Sequence, residues 1–171
     1  MFPPPTPNIT WVLATVGWAK LNINGSWTSD GRAGAGMVLR DNKGHIIYTS
    51  CREVFSCRNA LEAELSTCME GLSLAIPITE LPIQVEMDSR EALNMIMSDS
   101  IDLSILSTLV KEIKVLKKLR STTFSYVHRN QNNVSDYLAK YARMKSRTVV
   151  WLNSGLPEII ELCNADCGIS T

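Results

Sequence analysis

The sequence has little of what zinc sites and disulfide frameworks require. It contains two histidines, and none of its five cysteines belongs to a Cys-x-x-Cys pair. A zinc site is therefore not expected, and the Cys163/Cys167 spacing is interpreted as coincidence. Because the cysteines are odd in number and scattered, we expect reduced thiols in an intracellular protein, either nuclear or cytoplasmic.

Long hydrophobic runs are also missing. No apolar run approaches the ~20 residues that a membrane-spanning helix needs, so no membrane partner is expected. The first residues have no basic segment, and their proline cluster would interrupt the apolar core of a signal peptide. We therefore expect no secretion signal and interpret residues 1–16 as an extended lead-in.

A net charge is absent as well, but the charge is unevenly distributed. The 17 basic residues balance 17 acidic ones across the chain. Residues 111–147 nevertheless hold ten lysines and arginines against two acidic residues. Such a segment could face a polyanion, although a solvated helix face is the other explanation of a charge run.

The composition is that of a single globular domain, with 45% hydrophobic and 20% charged residues in 171. The hydrophobic patterns predict three strands, then a helix, a strand, two helices, a strand and a final helix. This order predicts an α/β domain with a five-stranded mixed sheet, in which three antiparallel strands precede two parallel ones and helices flank the sheet. We place the domain at residues 17–147 and a tail that packs on it or follows it at 148–171.

Four polar residues are predicted to meet at one edge of this sheet. Asn24 lies in the first strand, Glu64 in the first helix, Asp88 at the end of the fourth strand and Asp136 in the first turn of the last helix. Open α/β sheets place their sites at such an edge. Clustered carboxylates there would suit Mg²⁺, and two such ions can assist phosphodiester displacement. Taken singly, each residue has a simpler explanation as a helix cap, a dipole partner or a solvated side chain.

Five stretches then point to a family. GWAKLNINGSW, GAGMVLRDNKGHII, AEL followed by GLSLA, VEMDSREAL and RNQNNVSDYLAK resemble the plant ribonuclease-H-like domain of the retroelement-type ribonuclease H superfamily. The resemblance runs from about residue 17 to the C-terminus. It implies the ribonuclease-H-like fold and an endonuclease that cuts the RNA strand of RNA/DNA hybrids, with two Mg²⁺ ions on four carboxylates.

Residue by residue, the resemblance assigns catalytic and metal-binding roles to three acidic side chains. Glu64 matches the helix glutamate, Asp88 the strand-end aspartate and Asp136 the aspartate of the last helix. Asn132 matches the asparagine of the same final motif. These three carboxylates and the residue at position 24 would form the two-ion Mg²⁺ site.

Two positions depart from the family pattern. The first aspartate falls on Asn24, and the histidine falls on Tyr126, with His128 two positions later as a candidate replacement. An amide lacks the charge and one acceptor oxygen of a carboxylate, which should cost roughly a thousandfold or more in rate. We therefore expect weak or lost hydrolysis. An engineered substitution of aspartate by asparagine would also give Asn24. The second departure from the family pattern, at Tyr126, favours natural divergence instead.

Three functions stay open from the sequence: an active Mg²⁺-dependent nuclease, a pseudo-enzyme that binds nucleic acid without cutting it, and a protein-interaction module on the same fold. A monomer is the default. The ligand would be an RNA/DNA hybrid or another nucleic acid, and a protein partner is an alternative. The residues expected to contact nucleic acid are Gly25, Ser26, Ser89, Lys114, Lys117, Lys118, Arg129 and Asn132.

Overall fold

A computed structural model describes residues 2, 10–100 and 104–169. Within these ranges the chain forms six strands, five α-helices and one 3-10 turn at Arg129–Gln131. In chain order the elements are β1 (Ala19–Trp27), β2 (Ala33–Arg40), β3 (Ile46–Val54), α1 (Ala60–Ile78), β4 (Ile83–Met87), α2 (Arg90–Met97), α3 (Ser107–Leu119), β5 (Thr122–Tyr126), α4 (Asn133–Lys145), β6 (Val149–Leu152) and α5 (Pro157–Asp166).

The strands form one mixed sheet in the order β5-β4-β1-β2-β3-β6. Strands β1, β2, β3 and β6 are antiparallel neighbours, whereas β4 and β5 run parallel to β1. The predicted α/β class and mixed sheet are confirmed, but the count of five strands is wrong. The sixth strand, β6, pairs with β3 and comes from the stretch interpreted as a tail. Four residues are too few for a period-two pattern to stand out in the sequence.

The larger core lies between the sheet and helices α1, α2 and α3. In β1 the side chains of Leu21 and Ile23 point into this core and are fully buried. Helix α1 begins after Asn59, whose side chain accepts a hydrogen bond from the backbone N–H of Glu62. The alternation of β1 sends its polar residues to the opposite face, where α4 lies.

Helix α4 packs closely on the sheet because the β2 residues beneath it are glycines. A Cβ on Gly36 would lie 2.0 Å from the carbonyl oxygen of Ser135, and one on Gly34 would lie 2.1 Å from that of Ala139. Only hydrogen at these two positions leaves room for the helix backbone. This contact brings Asp136, in the first turn of α4, against the polar face of β1.

The described part of the lead-in is packed against the sheet. Trp11 is 3% exposed, and its indole N–H donates to Oδ1 of Asn22 at 2.9 Å. The guanidinium of Arg40 stacks 3.6 Å from the Trp11 ring centroid and pairs with Asp166 of α5 at 2.8 Å. Residues 10–16 form no helix or strand, and most of the predicted lead-in lies outside the described residues.

No helix in the described ranges is long and apolar enough to cross a membrane.

Candidate nucleic-acid cleft

A cleft of about 500 Å³ opens at the carboxyl ends of β1 and β4. The parallel pairing of Asn22 with Glu86 places Asn24 and Asp88, each two residues further along the chain, at the same level of this edge. The cleft thus unites three of the four residues predicted to form the site. The lining residues are Asn24, Gly25, Ser26, Trp27, Ala60, Asp88, Tyr126, Arg129, Asp136, Lys140 and Arg143.

The central contact of the cleft joins Asn24 to Asp136. The amide nitrogen of Asn24 donates to Oδ1 of Asp136 at 3.0 Å. The other carboxylate oxygen, Oδ2, accepts from the ammonium of Lys140 at 2.9 Å, one helical turn further along α4. Both oxygens of Asp136 are therefore engaged by nitrogen donors, and Lys140 compensates its charge.

Glu64 lies beneath the cleft floor and is 4% exposed. Its Oε2 accepts from the backbone N–H of Gly25 at 2.7 Å, whereas its buried Oε1 has no hydrogen-bond partner. Burial raises the pKa of this carboxyl to about 8, the Gly25 N–H opposes that rise, and the charge of Asp88 adds to it. At neutral pH Glu64 is therefore largely protonated.

The raised pKa of Glu64 predicts a pH dependence of stability. The folded state holds this proton between pH 4.5 and about 8, where the unfolded state has released it. The free energy of unfolding should therefore fall as pH rises through this window, by up to about 1.4 kcal/mol per pH unit. Urea unfolding of the chain and of Glu64→Gln across the window measures this slope. Parallel curves for the two proteins would contradict the prediction.

Asp88 follows β4 and has a raised pKa, chiefly because it is partly buried and also because Asp136 is near. The charge of Arg129 and a hydrogen bond from the Asn132 side chain oppose this rise. Asn132 itself is 1% exposed, and its side-chain nitrogen donates to the carbonyl oxygen of Ile23 at 2.9 Å. Asn132 therefore ties the start of α4 to β1 and presents almost no surface to a ligand.

Tyr126 lines the cleft at the position where the resemblance places a histidine. The guanidinium of Arg90 stacks 3.8 Å from its ring centroid. His128 lies outside the lining residues: it caps the 3-10 turn, and its Nδ1 accepts from the N–H of Asn130 at 3.3 Å. Ser89 has a comparable capping role, since its hydroxyl accepts from the N–H of Ala92 at the start of α2.

The cations of the cleft come mainly from α4. Arg143 donates from Nε to the hydroxyl of Ser26 at 3.0 Å, and Lys140 and Arg129 complete the set. Neither Lys140 nor Arg143 is among the residues predicted individually to contact nucleic acid. The spacing of Lys140 four residues after Asp136 is the signal that could have found it. The α3 lysines predicted to contact nucleic acid lie outside the cleft lining: Lys114, Lys117 and Lys118.

The implied two-ion Mg²⁺ arrangement does not fit the side chains as they stand. Asp136 has both oxygens paired with nitrogen donors, and Asn24 directs an N–H where a carboxylate oxygen would be needed. Across residues 10–100 and 104–169, no group of three or more His, Cys, Asp or Glu side chains could hold a metal ion. The unpartnered Oε1 of Glu64 is a feature that does suit a cation.

Comparisons with known proteins agree with this architecture. Residues 22–142 match the family described as reverse transcriptase-like. A curated Arabidopsis thaliana protein, named as a candidate ribonuclease H protein, is 34% identical over 138 residues. The match covers 78% of this chain and 22% of that protein, so the chain spans about a fifth of its length.

Solved structures show the same fold. Ribonuclease H1 from the archaeon Halobacterium salinarum superimposes with a TM-score of 0.69 at 19% identity, covering 77% of this chain and all of that one. LC11 ribonuclease H1 in complex with an RNA/DNA hybrid gives 0.66 at 20% identity, with 75% and 98% covered. A foamy viral protease-reverse transcriptase, also with an RNA/DNA hybrid, gives 0.66 at 16% identity, with 85% and 22% covered.

Proposed function

Because the chain belongs to the reverse transcriptase-like family of ribonuclease H-like domains, we propose that it binds RNA/DNA hybrids and hydrolyses them weakly or not at all. The observation that carries this proposal is the contact of Asn24 with Asp136, whose second oxygen is paired with Lys140. The amide of Asn24 and the ammonium of Lys140 occupy the two side-chain oxygens of Asp136, on which cation-assisted cleavage would depend.

The charges of the cleft support binding of a phosphate backbone. Arg129, Lys140 and Arg143 line it together with two carboxylates, Asp88 and Asp136. These three cations outnumber by one the two carboxylates that line the cleft, without any metal ion. Two of the similar solved proteins were captured with an RNA/DNA hybrid, which supports the same ligand class for this chain.

Weak hydrolysis follows from what the cleft lacks. Phosphodiester cleavage builds negative charge on the attacking and leaving oxygens, and fixed positive charge must stabilise it. In this chain the ammonium of Lys140 already pairs with Asp136, and Arg143 gives its Nε–H to Ser26, so neither supplies the concentrated charge of a divalent ion. These residues can hold and orient a phosphate, but a monovalent side-chain cation stabilises the developing charge less than a divalent ion does.

Binding without metal is the direct test. We expect a labelled RNA/DNA hybrid to bind in EDTA, with an affinity that falls steeply as salt rises. Arg143→Gln should weaken binding several-fold and reduce the salt slope by about one. Lys118→Gln, which also removes one positive charge but outside the cleft lining, is the matched control and should leave both unchanged.

Two results would overturn the proposal. Absence of hybrid binding even at low salt would leave a protein-interaction role for the fold. Multiple-turnover cleavage by the unaltered chain in Mg²⁺, at a rate close to that of its Asn24→Asp variant, would instead show that the chain is a working nuclease.

A further inference from the structure

A second cavity, of about 510 Å³, lies beside the first along α4 and α5. Its walls include the rings of Tyr137 and Tyr141, which are nearly parallel, with 13° between their planes and 6.5 Å between their centroids. Both rings are half-buried, so part of each remains open to a ligand. We call this surface the tyrosine groove; its lining includes Asp136, Tyr137, Lys140, Tyr141, Lys145 and Leu162.

The rim of the tyrosine groove is basic. Lys140 and Lys145 line it, and Arg147 donates to the hydroxyl of Tyr141 at 3.3 Å. One carboxylate of α5, Glu158, lies close enough to act on Tyr137. A second carboxylate, Asp136, lines the groove and pairs with Lys140. Three cations therefore face two carboxylates, and the groove combines aromatic surface with a small excess of positive charge, as surfaces that bind single-stranded nucleic acid do.

The tyrosine groove is continuous with the cleft. Asp136 and Lys140 line both cavities, because they lie one turn apart on α4 and face the boundary between them. A strand whose phosphates occupy the cleft and that leaves across α4 would therefore pass over the tyrosines. The two cavities are therefore connected directly through Asp136 and Lys140.

We propose that the tyrosine groove stacks a nucleobase of a single-stranded extension that leaves a duplex held in the cleft. Tyr137 and Tyr141 offer the aromatic surface, while Lys140 and Lys145 attract the flanking phosphates. A π-face is common to all bases, so this contact would be tolerant of sequence. The proposal rests on the proposed function for the position of the duplex, but the stacking itself is tested separately.

Three ligands with the same RNA/DNA duplex separate base stacking from phosphate attraction: a blunt hybrid, a hybrid with a short single-stranded extension, and the same extension with abasic sugars. Fluorescence anisotropy in EDTA measures their affinities. We expect the extension to raise affinity about tenfold, the scale of one stacked base. The abasic extension should lose most of that gain because it keeps the phosphates but not the bases.

Variants of the two tyrosines identify the groove as the source of the gain. Tyr137→Leu combined with Tyr141→Leu keeps apolar packing but removes the rings, so it should lose most of the affinity gained from the extension. The matched pair Tyr137→Phe and Tyr141→Phe keeps the rings and should retain the gain. Unchanged blunt-hybrid affinity in the leucine variant verifies that its fold and cleft are intact.

The outcomes separate the two proposals. Equal affinity for blunt and extended hybrids in the unaltered chain, a gain that survives in the leucine variant, or an abasic extension that binds as tightly as the complete one would each overturn base stacking. A single-stranded oligonucleotide that binds through the tyrosines while the blunt hybrid fails would overturn the proposed function alone. Absence of all binding would overturn both.

Discussion

Replacing Asn24 with aspartate is expected to raise Mg²⁺-dependent cleavage of an RNA/DNA hybrid by about a thousandfold or more. The change removes the N–H that now donates to Asp136 at 3.0 Å and adds a negative charge and an acceptor oxygen at that point. Two adjacent carboxylates repel each other unless a cation neutralises them, so the variant should also gain affinity for divalent ions. Single-turnover cleavage and calorimetric Mg²⁺ binding measure the two gains independently.

A second substitution, at Lys140, extends this experiment. Its ammonium competes with any divalent ion for Oδ2 of Asp136. Adding Lys140→Met to Asn24→Asp should therefore tighten Mg²⁺ further, while Asp136→Asn in the same background should return cleavage to the level of the unaltered chain. If Asn24→Asp neither binds Mg²⁺ nor cleaves, the remaining carboxylates are not placed for metal-assisted hydrolysis.

Replacing Gly36 with alanine is expected to destabilise the fold by about 3 kcal/mol or more. The added Cβ would lie 2.0 Å from the carbonyl oxygen of Ser135 and 2.4 Å from the backbone nitrogen of Ala139. Both neighbours are backbone atoms of α4, so the helix as a whole must move away from the sheet. Urea unfolding measures the loss of stability.

The matched control is Gly71→Ala in α1, where the added methyl group meets side chains instead of backbone. Its nearest neighbours are Ile23 and Leu21, at 3.1 and 3.2 Å, and these can rotate or shift slightly. Alanine also favours a helix over glycine by up to about 1 kcal/mol, so we expect a change within about 1 kcal/mol of zero. A Gly36→Ala variant as stable as the control would show that α4 is not held against β2 by this contact.

Gly36→Ala also tests how the fold positions the cleft. The same shift of α4 would carry Asp136 away from Asn24 and Lys140 away from the cleft edge. In the fraction that remains folded, hybrid affinity should therefore fall together with stability.

The sequence by itself determined the fold class and the edge of the sheet where the polar residues meet. Leu21 and Ile23 alternate with Asn22 and Asn24 over a full strand, and a pattern of that length specifies both a β-strand and its buried face. The parallel order of β1 and β4 then brings Asn24 and Asp88 to one edge. These features could be predicted because the periodicity of a strand and the order of the elements along the chain can both be read directly from the sequence.

The tertiary structure decided the rest, because it depends on distances between segments far apart in the chain. The sixth strand exists through pairing with β3, about a hundred residues earlier, and four residues carry no usable pattern on their own. The cations that reach the cleft belong to α4 and the turn before it, while α3, the more evident lysine helix, lies elsewhere. Asp136 reaches the amide of Asn24 because Gly36 lets α4 approach the sheet, and only packing fixes that distance.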